Sequence, residues 1–305
     1  MRRICRVLCW LAVLALGGCA NFKAVSEFAQ QTTKVTSIVK TEFADLDLLC
    51  REQAELTIVV NNIADDGPLK TCASYKASQG RLASVTVDVL DNYGRALLAL
   101  ADNRNFDLSS NIDSLGGKVQ ALKDGAGNSL VSATEVAALT KVVQLIADIV
   151  TEAKREAAIK RMVQEKDSLA TTGRILKSYF VQNPQAPPAR ARPPYVNQAG
   201  LISDSFAGTE RKLKSGAFQT AEPIRTVELL RASRGRQNVL AKRTASGPES
   251  VPGSVAAAID AWLLALDRFT DDALKPDPKE FLDRIKELRA KIAAARDAIE
   301  AAGNQ

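Results

Sequence analysis

The chain has 305 residues, with 46% hydrophobic and 25% charged side chains and a formal net charge of +6. That is enough apolar material for one or two folded domains, and it excludes wholesale disorder. Seventeen glycines, eleven prolines and 5% aromatics are few for a turn-rich β-sandwich or barrel, and the absence of histidine removes Ser-His-Asp catalysis, Cys-His catalysis and His-ligated zinc.

The chain starts with a leader. Arg2, Arg3 and Arg6 flank the start of an apolar run from Val7 to Leu16. The run is too short to cross a bilayer, and behind a basic start it reads as a secretory signal. The ending Leu16-Gly17-Gly18-Cys19 resembles the lipobox of bacterial lipoproteins. The resemblance implies a signal peptide over 1–18, cleavage before Cys19, and a diacylglycerol thioether and N-acylation at Cys19. Ala20 follows the lipid cysteine. By the enterobacterial sorting pattern, a residue other than Asp there implies delivery to the outer membrane, on its periplasmic face. Several acyl chains hold a protein firmly where one would bind only marginally.

Losing residues 1–18 removes three arginines and leaves 287 residues with a net charge of +3 instead of +6. The basic balance then argues little for nucleic acid. Cys5 and Cys9 leave with the signal, so Cys50 and Cys72 are the remaining unlipidated thiols. An even pair in an oxidising compartment is expected to be a structural disulfide.

From Phe22 to about Val60 the spacing predicts a long helix. Its stripe is Phe22, Val25, Ala29, Thr32, Thr36, Val39, Phe43, Leu46 and Cys50. The threonines suit a bundle or coiled-coil seam better than a deep core. A turn at Asp65-Asp66-Gly67-Pro68 leads to a second helix carrying Leu82, Val85, Val89, Tyr93, Leu97 and Leu100. A straight symmetric hairpin leaves Cys50 and Cys72 about 9 Å out of step, so the loop must fold back or one helix must start late. Ile112, Leu115, Val119 and Leu122 mark a short helix. Ser132-Ala-Thr-Glu135 reads as a capping box that opens a long helix, kinked near Asp167-Ser168 and continuing to Phe180.

Five prolines between 183 and 194 predict extended backbone. Residues 195–243 read as polar helix, broken at Gly200, Gly208, Gly216 and Pro223. Helices follow over Val255–Leu274, with Ile259, Trp262, Leu266 and Phe269, and to about Ala302, with Asp277 as cap and Phe281 to Ile299 as its stripe. The expected fold is all-α: an elongated helical bundle with long antiparallel hairpins. Its parts are an N-terminal bundle over 19–182, a Pro-rich linker or loop over 183–194, and a C-terminal helical region over 195–305 packing on or beside the first.

Chemistry-bearing motifs are sparse. Gly116-Gly117-Lys118 lacks the rest of a phosphate loop, and Asp124-Gly-Ala-Gly-Asn-Ser129 has one acid where a calcium loop needs several. Ser37-Ile-Val-Lys40 matches the Ser-x-x-Lys acylation motif, but no Ser-Asp-Asn or Lys-Thr-Gly segment accompanies it. No catalytic residue, metal ligand or cofactor is therefore expected. Residues 186–244 carry a local basic excess, with Arg225, Arg231, Arg234, Arg236, Lys242 and Arg243 as a candidate surface for an anionic partner. The competing reading makes these arginines internal partners of acids such as Asp283 or Glu287.

These features point to a non-enzymatic, lipid-anchored, periplasm-facing lipoprotein that binds or bridges in the cell envelope. The expected contacts are the membrane through the N-terminal lipid and an envelope protein, anionic lipid or lipopolysaccharide, with no nucleic acid. The rival expectations are a carboxylate-dependent envelope hydrolase and a small-molecule or lipid carrier with an interhelical cavity.

Overall fold

The computed structural model describes residues 2–102, 109–122, 131–151, 155–182, 193–215, 223–272 and 278–303. Side chains are described from Phe22 onward, with Arg225 and a few others outside that set. The described residues hold helices and no strand.

Helix α1, Arg2–Asn61, contains the helix expected over Phe22–Val60. Its expected stripe is buried at Val25, Ala29, Thr32, Thr36, Val39, Leu46 and Cys50, with Phe22 and Phe43 packed against the core. The burial is wider than that stripe. Ala24, Phe28, Gln31, Val35, Ile38, Glu42, Leu49 and Ala54 are buried as well. This part of α1 is therefore a deep-core helix and not the edge of a seam. The threonines tolerate that position because their hydroxyls bond back to the helix, as Thr32 Oγ1 does to the Phe28 carbonyl at 3.0 Å.

Asn62 closes α1 with φ +49°. The Ile63 N–H donates to the Ile58 carbonyl at 3.0 Å and the Asn62 N–H to the Val59 carbonyl at 3.3 Å. This Schellman closure reverses the chain, and Asn takes the left-handed position at low cost. Residues 62–66 then precede α2, Gly67–Tyr75, with Pro68 in its first turn. Five connecting residues can span more than the 9 Å offset at about 3.3 Å each. The fold-back brings the Cys50 and Cys72 Cα atoms to 5.9 Å, and a disulfide joins them.

A π-turn, Lys76–Gly80, links α2 directly to α3, Arg81–Asp102. Leu82, Val85, Val89, Tyr93 and Leu97 of α3 are buried as their spacing predicts, and α3 packs along α1. Helix α4, Ser109–Gln120, matches the short predicted helix. The capping box is present: Ser132 N–H donates to Glu135 Oε2 at 2.8 Å, and Glu135 N–H to Ser132 Oγ at 3.2 Å.

Beyond Ser132 the described residues form α5 Ala133–Thr151, α6 Arg155–Gln164 and α7 Lys166–Lys177, with residues 152–154 outside the described set. The kink expected near Asp167-Ser168 falls at Glu165. Glu165 leaves helical dihedrals (φ −95°, ψ 19°), and its carboxylate accepts a 2.9 Å bond from Ser168 Oγ. Helix α8, Pro194–Lys214, runs straight through Gly200 and Gly208, which were expected to break it. Two helical glycines cost about 1 kcal/mol each. The buried face of Tyr195, Ile202, Phe206 and Leu213 holds the helix regardless.

Helices α9, Pro223–Thr244, α10, Val251–Asp272, and α11, Lys279–Gly303, complete the fold. Residues 183–192 of the Pro-rich segment, Gly216 and Asp277 lie outside the described residues. Trp262 of α10 sits at a junction. Its indole N–H donates to Thr32 Oγ1 at 2.9 Å, and its ring stacks on Phe28 at 6.2 Å. On the other side is Gly173 of α7, where a Cβ would lie 2.7 Å from Trp262 Cζ3.

That contact generates a paired test. Gly173→Ala forces Trp262 or Leu263 to shift and costs about 1–3 kcal/mol of stability. Gly200→Ala meets nothing within 4 Å and gains up to about 1 kcal/mol from helix propensity. Thermal unfolding of the two variants should move in opposite directions, and equal shifts would contradict the close α7–α10 contact.

Candidate functional site

Two arrangements converge on the middle of α1. The first is a buried charge cluster. Glu42 faces the core with its side chain 0% exposed, opposite Arg243 of α9 at 3%. Arg243 grips both carboxylate oxygens, Nε to Oε2 at 3.1 Å and Nη2 to Oε1 at 3.2 Å, and its Nη2 also reaches Asp45 at 2.9 Å. The Tyr195 hydroxyl of α8 donates to Glu42 Oε2 as well. Burial would lower the Arg243 pKa, but the hydrogen bonds and charge of Glu42, with Tyr195 and Asp45, raise it beyond its ordinary value. Burial, and then the Glu42 charge, pushes the Tyr195 phenol well above 10.0, so it stays protonated as a donor. Every partner of the carboxylate is a donor, and the cluster holds α8 and α9 on α1.

The second arrangement is a cavity of about 280 Å³ one turn further along α1. Leu46, Val87 and the Cys50–Cys72 bond form its buried interior, and Ala44 and Ser84 are exposed where it opens. Phe43, half-buried, lines it too. The π-turn supplies Lys76 and Gly80 to its wall, a kind of helix distortion found often at functional sites. Gln198 of α8 lines it as well. Lys40 and Lys76 line the opening and are tied to carboxylates: Lys40 to Asp91 at 3.1 Å and Asp88 at 3.4 Å, Lys76 to Asp47 at 2.8 Å. Lys40 of the Ser-x-x-Lys match is thus paired with two acids.

The structure disperses the predicted basic surface. Arg243 leaves it for the core. Arg234 pairs with Glu210 at 3.0 Å, Arg236 with Glu52 at 2.7 Å, and Lys242 donates to the Ala301 carbonyl. Among the described residues, Arg231 alone of this group is exposed with no ion-pair partner. The acids that hold these arginines come from α1 and α8. Asp283 and Glu287, the partners first suspected, bond Lys286 and Arg284 within α11. Cys19, Arg225 and the Asp124 turn lie outside the residues whose side chains are described. Among the described residues, no group of three or more acidic or cysteine side chains could hold a metal, and no helix is long and apolar enough to cross a membrane.

No protein family, curated protein or solved structure matches this chain.

The buried cluster makes two predictions. Arg243→Met leaves the Glu42 carboxylate in the core without its counter-ion, with the Tyr195 hydrogen bond alone, and should cost about 3–5 kcal/mol in denaturant unfolding. Combining Arg243→Met with Glu42→Leu and Tyr195→Phe removes every polar member of the buried set and should recover most of that loss. A triple variant no more stable than the single one would contradict the assigned pairing.

Glu210 gives a pH test. Hydrogen bonds from Lys214, then Arg234 and Gln237, hold its carboxyl at about 2 instead of 4.5. Its folded pKa is depressed, so its contribution is full above pH 4.5 and lost as pH falls towards 2. Between those values Glu210→Gln should lose less stability with acid than the parent chain, and identical acid limbs would contradict the pairing.

Proposed function

We propose that this chain is a lipid-anchored, non-enzymatic helical protein on the periplasmic face of the outer membrane, acting by binding or bridging in the envelope. The leader ending in Leu16-Gly17-Gly18-Cys19 supplies the anchor. The observation that carries the compartment is the Cys50–Cys72 pair, with Cα atoms 5.9 Å apart in the core between α1 and α2. Such a bond persists where thiols stay oxidised. Closing a loop of about 20 residues stabilises by about 3 kcal/mol in the chain-entropy account.

The anchor and the body are joined without a flexible tether, because the apolar stripe of α1 begins at Phe22. A lipid at Cys19 would therefore hold the bundle at a short distance from the membrane. Arg231, exposed and without an ion-pair partner, is the residue of the basic segment best able to meet an anionic lipid, a lipopolysaccharide phosphate or an acidic envelope protein.

Metabolic labelling with a fatty acid tests the anchor. The parent chain should incorporate label and Cys19→Ala should not. Labelling that persists in Cys19→Ala would remove the anchor and the membrane placement together.

A further inference from the structure

The cavity beside the disulfide contains a buried polar group that the protein itself leaves largely unused. Gln198 is 7% exposed. Its hydrogen bond runs from Nε2 to Cys50 Sγ at 3.5 Å. A sulfur is a weak acceptor, so this contact satisfies little of an amide that offers two donors and one acceptor. The Gln198 carboxamide oxygen has no protein partner among the described residues, and it is not one of the atoms sealed from solvent, so a molecule in the cavity can reach it. Water meets such an amide oxygen in an empty cavity, and a ligand hydroxyl can take that place.

Charge at the opening carries the second part. Asp47 is shared by Arg51 and Lys76, Asp88 by Lys40 and Lys118, and Asp91 by Lys40 and Arg95. Of these charged groups Lys40, Lys76 and Asp47 line the cavity, two cations against one carboxylate. The excess of one positive charge favours an anion at the mouth. The wall between mouth and Gln198 is apolar, formed by Phe43, Leu46 and Val87. Size sets the third limit. A cavity of about 150 Å³ holds benzene, so 280 Å³ accommodates roughly eleven non-hydrogen atoms.

We propose that this cavity binds a small amphiphile with a carboxylate at one end, an apolar body, and a hydroxyl at the other. The carboxylate lies at Lys40 and Lys76. The body packs against Phe43, Leu46 and Val87. The hydroxyl donates to the free oxygen of Gln198. This goes beyond the anchored-binder reading and does not depend on the lipid.

Three probes separate the contributions by calorimetric titration of the purified, disulfide-bonded protein. 4-Hydroxyphenylacetate carries all three features, phenylacetate lacks the hydroxyl, and tyramine exchanges the carboxylate for an ammonium. The first should bind saturably, and each of the others at least about tenfold more weakly, because a site built around a hydrogen bond rejects a ligand that lacks it. Binding should weaken with added salt. Ser84→Trp fills the opening from an exposed position and should abolish binding without changing the melting temperature. Gln198→Leu should bring the hydroxylated and unhydroxylated probes to equal affinity. No saturable binding of 4-hydroxyphenylacetate, equal binding of the three probes, or unchanged binding in Ser84→Trp would each overturn the proposal.

Discussion

The carboxylate of Glu42 lies in the middle of the core, where an unpaired charge would cost several kcal/mol, and the rest of the fold is arranged so that it is met. Its partner Arg243 is 201 residues away in sequence. That separation makes the pair a long-range constraint. A slip of α9 along α1 by one turn would leave two buried ions facing apolar side chains. Tyr195 adds a donor from α8, so two helices of the C-terminal half are held to one residue of α1. A buried ion pair can be energetically close to neutral against an apolar substitute, and its clearest effect here is on register.

With that register set, the remaining contacts fall along α1 in order. Trp262 meets Thr32 and Phe28 nearer the N-terminus, where Phe269 and Phe281 complete an aromatic group around Phe28 at 5.1 and 5.8 Å. Aromatic pairs at such distances add to the stability gained from burial alone. Gly94 of α3 allows close approach on the opposite side, since a Cβ there would lie 3.0 Å from Thr33 Cγ2. Beyond Glu42 come Leu46 and Cys50, then the disulfide and the cavity beside it. The core is one continuous set of side chains that includes α1, α3, α5, α7, α8, α10 and α11.

Much of this was legible in the sequence where a single local rule decides. The stripes of α1, α3 and α11 follow from helical period, the start of α5 from the Ser132–Glu135 box, and the disulfide from counting the cysteines left once the leader is set aside. Other features needed tertiary information. Gly200 and Gly208 read as breaks because propensity favours one, whereas the packed face of α8 outweighs it. The pairing of Arg234, Arg236 and Arg243 with acids of α1 and α8 depends on which helices are neighbours, and composition is silent on that. One signal was present but unused. Glu42 lies three residues after Val39 and four before Leu46, on the apolar stripe, and a carboxylate there demands a buried cation. Gln198 gave no such signal, because a glutamine on a polar helix looks solvated until the disulfide is placed beside it.

Amide hydrogen exchange measured residue by residue tests most directly whether α1 is the shared centre of a single core. Local openings report on the cooperative unit to which each amide belongs. The slowest amides of α1 between Val25 and Gln53 should exchange through the same opening as the slowest amides of α3, α8 and α10, with one common free energy and one common denaturant dependence. Two separate classes, with α3 and α5 opening at one free energy and α8, α10 and α11 at another, would contradict a fold organised around α1.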